Sequence, residues 1–208
     1  MSDVAVLFWD LGGVVLSNGW DEHARADAVR RFSLDAADFE QRHHQAAGEF
    51  ETGRITLDVY LDRTVFFRER SFSKDSFKEF IFAQSSEKTE TRVLLDELTA
   101  TRPYFLAALN NESAELNAYR IRKFNLLRNF SAFFTSCYLR ALKPDPLIYK
   151  LALAITQRAP QECIFIDDRP ENLEPAKALG MRTIRFESAG QLRTSLAEAG
   201  IPPALVGG

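Results

Sequence analysis

The sequence predicts an α/β fold: a Rossmann-like parallel sheet with helices on both faces and a small helical cap inserted after the first strand. Short apolar runs of strand length recur along the chain, and helix-patterned segments separate the last four, which is the alternation typical of a parallel sheet. The long stretch after the first run has helical periodicity and lacks a buried strand. The predicted strands are Val4–Asp10, Tyr104–Asn110, Ala132–Leu139, Cys163–Asp168 and Met181–Phe186.

Local signals mark the ends of several predicted helices. Asp145 and Pro146 supply an N-cap and a proline at the first helical position. Pro170 can begin a second helix, which ends before Gly180, a residue suited to the left-handed position after a helix. Gly200 has the same place after the final helical segment. These signals predict helices between the later strands.

The chain divides into a core and an insertion. Residues 1–16 and 89–208 are predicted to form the Rossmann-like core, and residues 17–88 the helical cap. Ser73 is the expected N-cap of the last cap helix. The tail 201–208 is expected to be loosely packed.

Composition narrows the classes of partner. The 208 residues carry a net charge of −3, which favours neither nucleic acid nor an anionic membrane as a partner. No apolar run reaches the ~18 residues that a membrane span needs, and no signal peptide is recognisable. Cys137 and Cys163 lie in apolar runs and are expected to be buried free thiols. A cytoplasmic location is predicted, and the oligomeric state stays open.

Polar residues follow the predicted strands where each one ends. If the strands are parallel, these residues meet at one edge of the sheet, where α/β proteins bind ligands. Carboxylates and backbone oxygens suit Mg²⁺, a lysine can neutralise a phosphate oxygen, and Gly12 and Gly13 let backbone N–H groups approach a phosphate. The residues are Asp10 after the first strand, Asn110 and Asn111 at the second, Lys143 after the third, and Asp167 and Asp168 at the fourth.

These segments resemble the four motifs of the haloacid dehalogenase-like (HAD) hydrolases. The resemblance covers the whole chain, and it is closest to the capped phosphatases of the glucose-1-phosphatase type and the phosphatase domain of epoxide hydrolases. Glu51-Thr-Gly53-Arg-Ile-Thr56 also looks like a cap element of that branch. The motif segments are Asp10-Leu-Gly-Gly-Val, Leu109-Asn-Asn, Lys143-Pro-Asp-Pro-Leu-Ile-Tyr149 and Phe165 to Gly180.

The resemblance implies phosphoryl transfer to Asp10, followed by hydrolysis of the aspartyl-phosphate. Lys143 would then be catalytic, pairing with Asp10 and the phosphate. Mg²⁺ would bind Asp10, the carbonyl of Gly12 and Asp168, with Asp167 in an outer position. The implied phosphate-binding residues are Asn110, Asn111, Gly12 and Gly13.

Gly12 departs from the family pattern, because most family phosphatases have an aspartate there that protonates the leaving oxygen and later activates water. General acid–base help is typically worth about 10²–10⁴ in rate. Three outcomes stay open: a substrate with a good leaving group, an acid from the cap or the substrate, or slow or lost turnover. The candidate cap acids are Glu49, Glu51, His43 and His44, and Arg54 and Arg169 are candidates for substrate contact.

The leading functional hypothesis is a Mg²⁺-dependent phosphatase acting on a small phosphorylated metabolite, with a sugar 1-phosphate as one candidate. A haloacid dehalogenase attacking carbon with the same aspartate is an alternative, although that chemistry needs no metal and the Asp167-Asp168 pair argues against it. A phospholigand-binding protein with weak or lost turnover is a third hypothesis, and Gly12 is its best support.

Overall fold

The computed structural model describes residues 4–101 and 104–201. Five parallel strands form one sheet in the order β3-β2-β1-β4-β5, with β1 in the centre. The predicted α/β class with a Rossmann-like parallel sheet is therefore confirmed. The strands are β1 (Val6–Trp9), β2 (Phe105–Asn110), β3 (Ala132–Thr135), β4 (Cys163–Asp167) and β5 (Arg182–Arg185).

Helices cover both faces of this sheet. They are α1 (Glu22–Phe32), α2 (Ala36–Glu51), α3 (Leu57–Thr64), α4 (Lys74–Ala83), α5 (Thr89–Thr101), α6 (Ala114–Lys123), α7 (Ser136–Leu139), α8 (Pro146–Thr156), α9 (Pro170–Ala178) and α10 (Ala189–Glu198). Single turns of 3₁₀ helix lie at Leu126–Arg128 and Pro160–Glu162.

Alternate residues of the central strand supply two separate cores. Leu7 and Trp9 belong to the cluster that includes apolar residues of α5 and α10, whereas Val6 and Phe8 belong to the cluster with α8 and α9. All four side chains are at most 1% exposed, which accounts for the uninterrupted apolar run of a strand buried on both faces. The central position of β1 places the residue after it at the middle of the sheet edge.

Helices α1 to α4 contain a third, aromatic-rich cluster. Phe77 is fully buried and lies within 6.4 Å, between ring centroids, of Phe32, Phe66, Phe72 and Phe80. Ser73 caps α4 by accepting a hydrogen bond from the backbone N–H of residue 76, as its position in the sequence predicts. The helical prediction for this segment is confirmed, and the division at residues 16/17 and 88/89 stays a prediction.

Arg120 of α6 joins the two connections between the sheet and helices α1 to α4. Its Nε donates to Ser85 Oγ at 3.1 Å, and its Nη2 donates to the carbonyl of Ser17 at 3.0 Å. The two connections also meet directly, since the N–H of Ser17 donates to the carbonyl of Ser86 at 2.9 Å. One side chain of the core therefore holds both connections, and its guanidinium occupies the space that a Cβ at Gly19 would need.

One strand prediction is wrong in its second half. The run Ala132–Leu139 is strand only to Thr135, and Ser136–Leu139 forms the short helix α7. A short apolar run is compatible with either structure by periodicity alone. The helical turn leaves Tyr138 60% exposed and buries Ser136, whose Oγ donates to the carbonyl of Glu51 at the end of α2.

The predicted ends of helices α8 and α9 are confirmed. Asp145 caps α8 by accepting a hydrogen bond from the N–H of Leu147 at 2.9 Å, and Gly180 follows α9 with φ +92°. Cys137 and Cys163 are buried and free. None of the helices within 4–101 and 104–201 combines the length and the apolar character needed to cross a bilayer. The prediction of a loosely packed tail from residue 201 is wrong for Ile201, which is 1% exposed and belongs to the core cluster that includes Leu192 and Leu196. Residues 202–208 lie outside the described residues.

Candidate active site

Lys143 lies between two carboxylates at the carboxyl ends of β1 and β4. Its Nζ is 2.9 Å from Asp10 Oδ1 and 2.6 Å from Asp167 Oδ2. All three groups are buried. Burial opposes the charge on Lys143, but the two carboxylates outweigh it and raise the lysine pKa. The charged ammonium therefore fixes the orientation of the Asp10 carboxylate.

Asp167 is fully engaged, whereas Asp10 is not. Asp167 Oδ1 accepts hydrogen bonds from the N–H of Arg169 at 2.9 Å and from Asn172 Nδ2 at 3.0 Å, and its Oδ2 accepts from Lys143. Asp10 Oδ1 accepts from the N–H of residue 11 as well as from Lys143. Its second oxygen, Oδ2, accepts no hydrogen bond from the described residues. Asp10 therefore keeps an oxygen available for another partner.

Asp10, Asp167 and Asp168 form a cluster that fits a divalent cation. One oxygen from each lies within 4.8 Å of the others. Asp168 Oδ1 is buried and has no hydrogen-bond partner among the described residues. Burial is the main cause that raises the pKa of Asp10 to about 6; Lys143 opposes this shift, and the other two carboxylates add to it. Burial and Asp167 also raise the pKa of Asp168. A bound cation would relieve this crowding of negative charge.

The two glycines after Asp10 differ in what they allow. Gly13 has φ +75°, and a Cβ there would overlap the carboxylate of Asp168. Gly12 has no positive φ, and a Cβ there would be 3.1 Å from Asn18 Oδ1, the end of a flexible side chain. Gly13 is thus required by the geometry of the site, whereas Gly12 has room for a side chain.

The paired asparagines after β2 have different surroundings. Asn111 Nδ2 donates to the carbonyl of Lys143 at 2.9 Å, and its Oδ1 accepts from the N–H of Lys143 at 2.8 Å. Both polar groups of Asn111 therefore hold the lysine backbone. Asn110 Oδ1 accepts from Thr135 Oγ1 at 3.1 Å, and its buried Nδ2 has no partner in the described ranges. Asn110 therefore offers a free donor, and phosphate binding by either residue stays a prediction.

A cavity of about 390 Å³ opens above these groups, between the sheet edge and helices α1 and α2. Asp10, Gly12, Asn111 and Lys143 line its floor, and Arg169 lines it from the start of α9. The surface facing them includes Trp20, Arg25, His43, Phe50 and Glu51.

Of the two adjacent histidines, only His43 lines the cavity. Its Nδ1 is 2.8 Å from Tyr60 Oη, and burial lowers its pKa to about 4, with Arg25 adding to the effect. His44 is 74% exposed at its side chain. Of the two arginine candidates, Arg169 lines the cavity and Arg54 is absent from its lining.

A buried ion pair that the sequence does not predict lies in the cavity wall. Arg120 Nη1 is 3.0 Å from Glu112 Oε2, and both residues are buried. Burial is the main cause that raises the pKa of Glu112 to about 7. The spacing of Leu116 and Arg120 marks them as one face of α6, but nothing in the local sequence separates a buried arginine from a solvated one.

A family model and several known proteins match this chain. The model for haloacid dehalogenase-like hydrolases covers residues 4–180. The chloroplast flavin mononucleotide hydrolase 1 of Arabidopsis thaliana is 33% identical over 162 residues, which are 78% of this chain and 65% of that protein. Bifunctional epoxide hydrolase 2 of Sus scrofa is 34% identical over 197 residues, which are 85% of this chain and 35% of that protein. The chain thus spans less than two thirds of either relative.

Solved structures share the fold. A HAD family enzyme from Bacteroides thetaiotaomicron, in complex with magnesium and inorganic phosphate, superimposes with a TM-score of 0.72 at 21% identity, covering 88% of this chain and 94% of that one. The L-2-haloacid dehalogenase from Xanthobacter autotrophicus gives 0.62 at 18% identity, covering 96% and 85%. The family model covers most of the chain, and the parallel sheet brings the four motifs to one edge. The chain therefore belongs to the haloacid dehalogenase-like hydrolase family.

Proposed function

We propose that the protein is a Mg²⁺-dependent phosphatase that hydrolyses a small phosphorylated metabolite through an aspartyl-phosphate on Asp10. The observation that carries this proposal is the buried triad in which Lys143 bridges Asp10 and Asp167 beside the unpartnered Asp168 Oδ1. Such a site pairs an oriented carboxylate nucleophile with a place for a cation.

In this mechanism Asp10 Oδ2 attacks phosphorus and the bond to the leaving oxygen breaks. Lys143 keeps Asp10 ionised and oriented, and its charge offsets that of the phosphoryl oxygens. Asn110 is buried beside the cavity residue Asn111, and its Nδ2 has no partner among the described residues, so it would donate to one of these oxygens. Water then attacks the aspartyl-phosphate, which releases inorganic phosphate and restores Asp10.

Mg²⁺ would be held by Asp10, Asp168 and the carbonyl of Gly12. Asp167 would lie outside this ligand set, where it bonds to Lys143 and Asn172. The ion would supply charge neutralisation between the nucleophile and the phosphoryl group. The retained acidic pair separates this proposal from carbon–halogen hydrolysis, which needs no such ion. A phosphatase role is also in keeping with the activity named for the Arabidopsis relative.

For the substrate we propose a phosphomonoester small enough for a cavity of about 390 Å³, and two classes are candidates. Flavin mononucleotide is the first, because a relative is named for its hydrolysis and because Trp20 and Phe50 offer aromatic surface in the cavity. A sugar 1-phosphate is the second, since its anomeric leaving group needs little protonation at a site with Gly12. A cytoplasmic location stays a prediction from composition.

The test is phosphate release from a panel of phosphomonoesters, with Mg²⁺ or with EDTA. Release that requires both Mg²⁺ and Asp10 is expected, and Asp10→Asn should abolish it while the exposed Asp75→Asn control keeps it. Acid-quenched wild-type protein and the Asp75→Asn control should both carry covalent phosphate, and Asp10→Asn should not. Binding of a phosphomonoester without release would favour the binding-protein alternative, and halide release from 2-chloropropionate with EDTA present would favour the dehalogenase.

A further inference from the structure

Glu51, the last residue of α2, brings a carboxyl group into a cavity that lacks the usual acid next to the nucleophile. Glu51 lines the same cavity as Asp10, Gly12 and Lys143, although it comes from the opposite wall. Gly12 leaves the nucleophile loop with no side chain that can donate or accept a proton. Glu51 is therefore placed where such a group is missing.

The backbone around Glu51 is attached directly to the core. Ser136 Oγ donates to the carbonyl of Glu51 at 2.7 Å, and Arg140 Nη1 donates to the carbonyl of Thr52 at 2.8 Å. Gly53 follows with φ +67°, and a Cβ there would be only 2.5 Å from the carbonyl oxygen of Cys137. Residues 51–53 thus lie against α7. The position of Glu51 is therefore held by this contact as well as by the two connections, at Ser17 and Ser85, that join helices α1 to α4 to the sheet.

The Glu51 carboxylate is also uncommitted. Within the described ranges it accepts no hydrogen bond and forms no ion pair. Burial raises the pKa of Glu51, while the charges of Arg169 and Arg25 oppose the shift. Glu112 and Tyr60 are further titratable groups that interact with this carboxylate. A carboxyl group with a raised pKa can be protonated at the start of a reaction and ionised after it.

The other acid–base candidates are engaged. Glu112 Oε2 is held by Arg120 at 3.0 Å, and its Oε1 accepts from the N–H of Ser113 at 2.9 Å. His43 is bound to Tyr60 Oη, and its lowered pKa leaves it neutral. Glu49 is paired with Arg63 at 3.0 Å on the exposed surface. Glu22 and Glu171 also line the cavity, but both are exposed to solvent. Glu51 is the lining acid that combines partial burial with a carboxyl group that has no partner in the described ranges.

We infer that Glu51 is a catalytic residue, the general acid and base that replaces the side chain missing at Gly12; this inference rests on the proposed phosphatase function. In the first half-reaction the Glu51 carboxyl gives its proton to the leaving oxygen as the bond from that oxygen to phosphorus breaks and the Asp10 Oδ2–phosphorus bond forms. The products are a neutral alcohol, the aspartyl-phosphate and an ionised Glu51.

In the second half-reaction the ionised Glu51 accepts a proton from water. The water oxygen bonds to phosphorus and the bond to Asp10 breaks, which yields inorganic phosphate, a free Asp10 carboxylate and a protonated Glu51. Each cycle thus consumes one water and one phosphomonoester and leaves no net proton on the enzyme.

The test separates proton donation from a structural role by varying the leaving group. Glu51→Gln keeps the size of the side chain but carries no transferable proton. For primary-alkyl phosphates it should lower kcat by about 10²–10⁴-fold. For 4-nitrophenyl phosphate, whose leaving group needs no proton, the pre-steady-state burst of nitrophenolate should stay within about threefold of wild type while turnover slows. Glu49→Gln on the same helix is the matched control and should match wild type on both substrates.

Restoring an acid at position 12 provides an independent test. Gly12 has no positive φ, and a Cβ there would be close only to the movable Oδ1 of Asn18, with the Asn18 backbone at ordinary contact distance, so Gly12→Asp can be accommodated. In the Glu51→Gln background it should recover hydrolysis of alkyl phosphates by about tenfold or more, which a variant damaged in folding would not do.

The outcomes distinguish this inference from the proposed function. Wild-type-like hydrolysis of alkyl phosphates by Glu51→Gln would overturn the role of Glu51 and leave the phosphatase standing. The role of Glu51 would also be overturned if Glu51→Gln lowered the nitrophenolate burst and the kcat for alkyl phosphates by the same factor and Gly12→Asp restored neither. If the wild-type protein with Mg²⁺ releases phosphate from none of these esters, the proposed function fails and the inference fails with it.

Discussion

Replacing Arg120 with methionine should destabilise the fold more than any surface change, because it removes one partner of a buried ion pair. Arg120 is 2% exposed, and its guanidinium contacts Glu112, Ser85 and Ser17. Leaving one charge of a buried pair without its partner costs about 3–5 kcal/mol. The free energy of unfolding of a domain is about 5–15 kcal/mol, so the expected loss is a large part of the total.

The pH dependence of this loss follows from Glu112. Burial already raises its pKa from 4.5 to about 7 in the presence of Arg120, and losing the arginine charge should raise it further. An acid whose pKa is higher in the folded state costs nothing below its unfolded pKa and destabilises progressively as pH rises through its folded pKa. The cost of Arg120→Met should therefore be small near pH 4.5 and largest above pH 7.

Urea unfolding measured at pH 5 and pH 8 tests this reasoning. The double variant Arg120→Met/Glu112→Gln should recover about 2 kcal/mol or more at pH 8, because no unpaired charge is left. Arg122→Met, on the exposed side of the same helix, should stay within about 0.5 kcal/mol of wild type. The ion-pair argument would be refuted if Arg120→Met lowered the free energy of unfolding by less than about 1 kcal/mol at pH 8, or if adding Glu112→Gln lowered it further.

Two further changes test the site and the helices above it. Gly13→Ala should cost about 1–3 kcal/mol in urea unfolding and weaken Mg²⁺ binding measured by titration calorimetry, since its positive φ is unfavourable and its methyl group displaces Asp168. Gly48→Ala, which meets nothing within 4 Å in α2, should be neutral or stabilising; equal effects of the two would contradict the argument. For His43, the pKa is lowered from 6.5 to about 4, so stability should be lost as pH falls from 6.5 to 4, by at most about 3 kcal/mol. His43→Gln, which can still bond Tyr60, should flatten this dependence, and an unchanged profile would count against it.

The features that the sequence predicts well are those carried by local chemistry. Asp145 and Gly180 mark helix ends because their preferences act within a few residues. The convergence of Asp10, Lys143 and Asp168 is predictable because parallel strands bring their carboxyl ends to one edge. These features depend on neighbours in sequence or on the topology of the sheet alone.

What could not be predicted depends on contacts between distant segments. The apolar run at residues 132–139 fits a strand, but it turns into helix α7 after Thr135, where Ser136 and Arg140 donate hydrogen bonds to the carbonyls of residues 51 and 52. The burial of Arg120 and Glu112 likewise follows from the place where helices α1 to α4 join the core. Neither residue has a distinguishing neighbour in sequence, so their pairing becomes visible only in three dimensions.

The docking of residues 51–53 on α7 has a consequence for how this enzyme can diversify. A fold that keeps its proton donor beside the nucleophile can exchange the covering helices for new ones, because selectivity and chemistry reside in separate modules. Here the same short segment supplies part of the cavity wall and the proposed proton donor. Replacing these helices with another set would change the selectivity and also remove the proposed acid. Proton transfer would then be kept only if position 12 carried an aspartate.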